Sequence, residues 1–117
     1  MNNLLHIWIK KIRTNDPYQV VELYRDEGML LGTFSDKERH GKKSILDYFE
    51  NLLMSKVDVE LITQNEYKTD SIIVNSGFYN FVVDNKVIEA RFSFVFTKKA
   101  DCWKILSHHS SIVPRSN

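Results

Sequence analysis

The C-terminal part of the sequence concentrates polar side chains that can handle protons and small anions. Residues 103–111 begin with apolar side chains and end in His108, His109, Ser110 and Ser111. Imidazole and hydroxyl groups donate, accept and relay protons near neutral pH, so this run predicts a polar site. Residues two apart share one face of a strand, which places His108 with Ser110 and His109 with Ser111.

The preceding run indicates which of these two faces lines a pocket. It carries aromatic side chains at every second position, namely Phe92, Phe94 and Phe96. If Thr97 pairs with Trp103 across the turn, the phenylalanine face continues into the next strand. On that pairing the pocket residues of the last strand are Leu106, His108 and Ser110. A slip of one residue would instead select His109 and Ser111.

The two adjacent histidines do not favour a metal site. Neighbouring residues on a strand point to opposite faces, and catalytic zinc needs three protein ligands. The other histidines, His6 and His40, lie in different predicted elements. We therefore predict a site without metal or cofactor. The alternative, which the residues leave open, is that His108 and His109 are hydrogen-bonded structural groups, one in the pocket and one at a subunit interface.

Helical and strand periodicities show what must position these residues. Helical spacing predicts helices over residues 4–14, 17–24 and 42–54, with Asp16 capping the second helix and Pro17 in its first turn. Strand patterns follow over residues 57–66, 71–83, 87–97 and 103–111, with a bulge or bend at Gly77. Short polar turns make these strands antiparallel. The residues thus predict an α+β fold, three N-terminal helices packed on a curled antiparallel sheet.

Length and composition limit the classes of protein and function that fit this sequence. A chain of 117 residues with 43% hydrophobic and 26% charged residues predicts one folded domain, residues 1–117. The net charge of +1 and the lack of long charge runs argue against nucleic acid as the main partner. A single cysteine, Cys102, indicates a reducing compartment, and we expect a cytoplasmic protein. No apolar run approaches the ~20 residues of a membrane span, and we expect neither a membrane helix nor a signal peptide.

Several segments together resemble the iota-class carbonic anhydrases, which belong to a group similar to the association domain of calcium/calmodulin-dependent protein kinase II. Residues 90–96 and 103–111, followed by Pro114, resemble the C-terminal signature of that class. Residues 14–17 resemble its "TGDP" turn, residues 30–35 its "LLPTVS" segment and residues 47–49 its "DYF". The resemblance extends over nearly the whole chain and implies the cone-shaped nuclear transport factor 2-like (NTF2-like) fold.

This resemblance implies particular site residues. In the family a threonine, a tyrosine, a histidine and a serine line a pocket for carbon dioxide and bicarbonate, in several members without metal. The matching residues here are Thr33, Tyr48, His108 and Ser110, beside an apolar wall of Phe92, Phe94 and Leu106. Two positions depart from the pattern. Gly32 replaces a proline, which could loosen the loop that positions Thr33, and Ser107 replaces a third histidine.

Three functions are therefore weighed. The first is reversible CO2 hydration, in which hydroxyl groups orient water and product and His108 accepts or relays a proton at a pKa near neutrality. The second is a non-enzymatic assembly or ligand-binding domain, a homodimer formed through Val95, Trp103 and Ile105 on the convex face. The third, an isomerase or cyclase, would need a pocket carboxylate that the Phe92 face lacks. In simpler alternatives Thr33 is a turn hydroxyl and Tyr48 a surface phenol.

Overall fold

Three helices and six strands account for most of residues 3–114, which are the residues described by the structure, a computed structural model. In chain order the elements are α1 (Leu4–Ile12), α2 (Pro17–Val21), β1 (Tyr24–Leu31), β2 (Glu38–His40), α3 (Gly41–Leu52), β3 (Val57–Lys68), β4 (Ile72–Val83), β5 (Lys86–Lys99) and β6 (Cys102–Ile112). None of the helices in this range is long and apolar enough to cross a membrane.

Side-chain caps fix the starts of the first two helices. The Asn3 side chain accepts the Leu5 N–H at 3.0 Å, and the Asp16 carboxylate accepts the Tyr18 N–H at 2.9 Å. The predicted cap at Asp16, with Pro17 in the first turn, is thus confirmed. The second helix is shorter than predicted, because the chain becomes extended at Tyr24 and begins β1.

The six strands form one sheet in the order β2-β1-β6-β5-β4-β3. The last four strands pair as consecutive antiparallel hairpins, as predicted. Strand β1 was not predicted, and it runs parallel to β6, so the sheet is mixed rather than antiparallel. Two strands also precede α3, so the chain does not place all three helices before the sheet. The α+β class with helices on one face is confirmed, since α1 contacts β3 and α3 contacts β1.

The pairing of β5 with β6 changes register twice relative to the prediction. Thr97 pairs with Lys104 rather than with Trp103, and an extra residue, Leu106, lies between the pairs Phe96–Ile105 and Val95–Ser107. Beyond this bulge Phe94 pairs with His108 and Phe92 with Ser110. Two shifts of one residue restore the original face, so His108 and Ser110 lie on the phenylalanine face as predicted.

Before the bulge only the first shift applies, and this single shift, with the bulge itself, overturns the other predictions for β6. Ile105 is 1% exposed, and the half-buried Trp103 packs against the core, so neither residue lies on the convex face. Leu106, predicted to line the pocket, is a half-buried residue at the bulge and lies outside the core cluster. The predicted dimer interface therefore loses two of its three residues.

A second bulge lies in β3, between Leu61 and Thr63, next to Gly77 of β4. A Cβ atom on Gly77 would lie 2.1 Å from the Thr63 carbonyl oxygen. Glycine therefore permits the close approach of the two backbones at the bend, and the predicted irregularity at Gly77 is confirmed.

Candidate active site

A continuous chain of hydrogen-bonded side chains runs through the core beneath the helices. We call it the polar chain, and its members are Trp8, Tyr24, His108, Tyr79, Ser110 and Thr33. They come from α1, β1, β6, β4 and the loop after β1. Three of the four predicted catalytic residues, Thr33, His108 and Ser110, are thus brought together.

The distances along the polar chain are those of ordinary or short hydrogen bonds. The contacts are Trp8 Nε1 to Tyr24 Oη at 3.1 Å, Tyr24 Oη to His108 Nδ1 at 2.8 Å, His108 Nε2 to Tyr79 Oη at 3.2 Å, Tyr79 Oη to Ser110 Oγ at 2.6 Å, and Ser110 Oγ to Thr33 Oγ1 at 2.5 Å. Each buried polar group in the series therefore has a partner, as a stable interior requires.

The first member gives the polar chain a direction. The indole N–H of Trp8 can only donate, so it occupies an acceptor position of the Tyr24 oxygen and leaves the Tyr24 proton for His108 Nδ1. Neutral imidazole then carries its proton on Nε2 and donates to Tyr79, whose own proton goes to Ser110. Either hydroxyl can donate in the contact between Ser110 and Thr33; with Ser110 as the donor, the Thr33 hydroxyl is the last donor of the series.

His108 is neutral at every pH near neutrality. Its side chain is 3% exposed and its ring stacks on Phe94, with centroids 3.9 Å apart. Burial, and to a smaller extent the neighbouring His109, lower the pKa of His108 to about 3. The prediction that His108 accepts a proton at a pKa near neutrality is therefore wrong. His109 is exposed on the opposite face, as strand geometry requires.

The two tyrosines of the polar chain also remain uncharged. Burial raises the pKa of Tyr24 and of Tyr79 well above 10, although hydrogen bonds from Trp8 and to Ser110 act in the opposite direction. Phe92 and Phe94 lie against this part of the polar chain, and the ring centroids of Phe92 and Tyr79 are 4.6 Å apart. The polar chain thus combines neutral donors and acceptors with an aromatic wall.

Tyr48 lies apart from the polar chain. Its hydroxyl oxygen accepts the backbone N–H of Phe34 at 3.3 Å, so it holds the loop that carries Thr33. Burial raises the pKa of Tyr48 to about 12, against a smaller opposing effect of Arg39. The side chain is 5% exposed, which excludes the surface-phenol alternative. Thr33 likewise bonds Ser110, a partner 77 residues away in sequence, rather than only its own turn.

Gly32 makes this position of Tyr48 possible. A Cβ atom on Gly32 would lie 2.3 Å from the Tyr48 ring carbon Cζ. A proline at this position would collide with the ring in the same way, because proline also carries a Cβ. Packing therefore explains the glycine at position 32, because the Tyr48 ring fills the space that a Cβ atom would occupy.

An open cavity of about 350 Å³ lies on the other side of Tyr48. Arg39 and Ser35 contribute polar groups to its wall, whereas Thr33, His108 and Ser110 do not line it. The sequence analysis did not identify Arg39 as a candidate site residue.

The sequence analysis also did not identify Trp8, Tyr24 and Tyr79 as members of the polar chain. Tyr79 could have been found, because period two places it on the inner face of β4 with Phe81. Tyr24 and Trp8 were predicted to lie in helices, so neither was considered as a partner of His108.

The buried polar residues of the core are Asn75, His108 and Ser110, and no carboxylate is buried there within residues 3–114. The same range contains no cluster of three histidine, cysteine, aspartate or glutamate side chains placed to hold a metal ion. An isomerase that uses a pocket carboxylate as its base therefore finds no such group in this core.

The architecture and the enclosed polar chain define an NTF2-like α+β protein, and comparisons with known proteins support that class. A SnoaL-like domain matches residues 1–116, and the chain belongs to this family. No curated protein matches the chain closely enough to be counted as a relative.

Three solved structures have the same fold. A protein from Xanthomonas campestris, described as a candidate calcium/calmodulin-dependent protein kinase II association domain, is 31% identical with a TM-score of 0.90, over 97% of this chain and 85% of that chain. An NTF2-like protein of unknown function from Pseudomonas putida is 13% identical with a TM-score of 0.85, over 97% and 83%. A candidate ketosteroid isomerase from Parabacteroides distasonis is 20% identical with a TM-score of 0.81, over 94% and 85%. The last two similarities concern the fold alone.

Proposed function

We propose that this protein catalyses the reversible hydration of CO2 to bicarbonate, as an enzyme of the iota carbonic anhydrase type. The observation that carries the proposal is the polar chain, which ends in a hydroxyl donor at Thr33. The resemblance to that class predicts Thr33, Tyr48, His108 and Ser110 as site residues, and three of these, Thr33, His108 and Ser110, belong to the polar chain. The structure adds Tyr79 between His108 and Ser110, and the proposal depends on this link.

The chemistry needs a donor where negative charge develops. In the forward reaction the water oxygen forms a bond to carbon, one C=O electron pair moves to oxygen, and the water releases a proton to solvent. The Thr33 O–H would donate to the oxygen that gains charge, and the donors behind it would strengthen that bond by polarisation. His108 would remain neutral throughout as a positioning residue. A metal is not part of this proposal, so we expect slower turnover than zinc enzymes achieve.

We expect the wild-type protein to accelerate CO2 hydration in stopped-flow measurements made with a metal chelator present. Thr33→Val removes the terminal donor with little change in shape and should lower the catalysed rate by about tenfold or more. Thr14→Val is the matched control, because the Thr14 hydroxyl bonds only its own helix end, at the Lys11 carbonyl and the Asp16 amide. Absence of any catalysed rate in the wild type, or equal rates in the two variants, would contradict the proposal.

A second function, assembly, is favoured by the outer face of the sheet. The face opposite the helices carries large apolar side chains that are exposed, namely Met29, Leu31, Tyr67 and Phe78. Large exposed apolar side chains on one face of a protein are typical of an interaction site. The similarity at 31% identity to a candidate association domain agrees with a partner that is a second copy of this chain. We therefore propose a homodimer through these residues, in place of Trp103 and Ile105. Catalysis and assembly are compatible.

Phe78→Lys is expected to convert the dimer to a monomer, since it places a charge within a desolvated interface. Phe78 is 46% exposed in the single chain, so the substitution should leave the fold intact. Light scattering at micromolar concentration measures the mass, and Met54→Lys is the control, because Met54 is 84% exposed and follows α3 on the opposite side. A wild-type monomer would exclude the proposed dimer.

A further inference from the structure

The cavity of about 350 Å³ beside Tyr48 has no part in the proposed hydration chemistry, yet its wall has the properties of a binding site. It lies where the end of α3 meets the loop between β1 and β2. The wall combines a guanidinium, a phenol and serine hydroxyls with the apolar side chains of Phe34 and Leu52.

Arg39 is the one cation among the described residues that line this wall. Within residues 3–114 it forms no ion pair with a carboxylate, and its Nε atom is buried without a hydrogen-bond partner. Its Nη2 donates to Ser35 Oγ at 3.2 Å, which holds the guanidinium in place. The Nε atom is closed to solvent, so a ligand in the cavity would meet the Nη groups of Arg39, where an acceptor that carries negative charge would balance the guanidinium charge.

Tyr48 offers a second donor to the same space. Its oxygen already accepts the Phe34 N–H, which leaves the hydroxyl proton available for an acceptor in the cavity. A guanidinium edge and a hydroxyl are well suited to the two oxygens of one carboxylate. Phe34 and Leu52 are suited to contact hydrocarbon rather than a second charge, and the cavity is larger than an inorganic ion requires.

We propose that this cavity binds a small organic carboxylate, with Arg39 and Tyr48 holding the carboxylate and Phe34 and Leu52 contacting the hydrocarbon part. The site is separate from the polar chain. Tyr48 lines the site and also bonds the backbone of the loop that carries Thr33. The proposal does not depend on carbonic anhydrase activity, because it rests on a guanidinium without a carboxylate partner among the described residues, and not on Thr33 or His108.

Benzoate is a suitable probe, because it joins a carboxylate to a flat apolar ring. We expect it to shift the Arg39 Nε–H resonance in a two-dimensional ¹H–¹⁵N NMR spectrum of the full chain, with a dissociation constant on the order of 1 mM or tighter. The titration is done without CO2 or bicarbonate, so its result is independent of hydration activity. Benzamide has nearly the same shape without the charge, and it should bind at least tenfold more weakly.

Two substitutions locate the site. Arg39→Gln should weaken benzoate binding by tenfold or more, and Tyr48→Phe by a smaller factor. Arg91→Gln is the matched control, because Arg91 lies on the outer face of β5 and donates to Ser111, and it should leave binding unchanged. The wild-type Arg39 resonance provides a test that does not depend on the folding of any variant.

Three results would overturn the proposal. Equal binding of benzamide would mean that charge is not recognised, and equal binding of inorganic phosphate would mean that the apolar wall is not used. Benzoate that leaves the Arg39 Nε–H resonance unshifted at saturating concentration would exclude this cavity as the site.

Discussion

His108→Gln is expected to lower the free energy of unfolding by about 3 kcal/mol at pH 7, because it removes an imidazole that bonds Tyr24 and Tyr79 and stacks on Phe94. The substitution should also make the protein less sensitive to acid than the wild type. Urea unfolding of both proteins over a series of pH values measures both effects.

The sign of the pH effect follows from the lowered pKa. In the unfolded chain His108 takes up a proton near its ordinary pKa of 6.5, whereas in the folded protein its pKa is about 3. The stability that depends on neutral His108 is therefore complete above pH 6.5 and is lost as the pH falls toward 3. The linkage slope is about 1.4 kcal/mol per pH unit, so the difference between wild type and His108→Gln should shrink by about 2 kcal/mol between pH 6.5 and pH 5.

Tyr24→Phe provides the control for this prediction. It removes one hydrogen bond of the same histidine but leaves the ring buried, so we expect a loss of about 1 to 2 kcal/mol with the wild-type pH dependence retained. If wild type and His108→Gln instead gave parallel profiles between pH 7 and pH 5, His108 would not be the buried neutral group that the structure contains.

The helices and the four long strands could be predicted because their patterns are local. The spacing of apolar residues and the cap at Asp16 depend only on neighbours in sequence. Strand β1 was missed because its pairing with β6 joins residues about 80 positions apart, such as Leu30 and His108, and nothing local specifies that contact. Its first residue, Tyr24, was predicted to end a helix, and no element was predicted over residues 25–31.

The inner face of β6 shows how the correct face of a strand can be predicted from an incorrect register. The assumed pairing of Thr97 with Trp103 is wrong by one residue, and the bulge at Leu106 adds one more. Because side chains alternate with period two, the two errors cancel for His108 and Ser110 and do not cancel for Trp103. A bulge has no reliable sequence signal, so the convex face could not be assigned from the sequence alone.

The polar chain itself could be predicted only in part. The resemblance to a known family supplied Thr33, His108 and Ser110, but the members that connect and orient them, Tyr79 and Tyr24, lie on other strands. Their hydroxyls reach His108 only because the sheet curls around it. Which atom of a histidine carries the proton depends on such distant partners, so the donor at Thr33 is a property of the tertiary structure.

Gly32→Ala is expected to destabilise the protein by about 3 kcal/mol, because the added methyl group would lie 2.3 Å from Cζ and 2.6 Å from Oη of Tyr48. The Gly32 backbone adopts a conformation open to other residues, so the cost should come from this contact and not from backbone strain. Tyr48 cannot simply rotate away, since its ring is 5% exposed and packs edge to face on Phe49.

A double-mutant cycle separates this contact from other effects of the substitution. In a Tyr48→Leu background the ring is absent, and Gly32→Ala should cost less than about 1 kcal/mol, which gives a coupling of about 2 kcal/mol. Displacement of the Tyr48 hydroxyl should also free the backbone N–H of Phe34, which hydrogen exchange would report as faster exchange at that amide. An equal cost in both backgrounds would mean that Tyr48 does not occupy the space above Gly32. In that case the loop carrying Thr33 would be held by something other than this phenol.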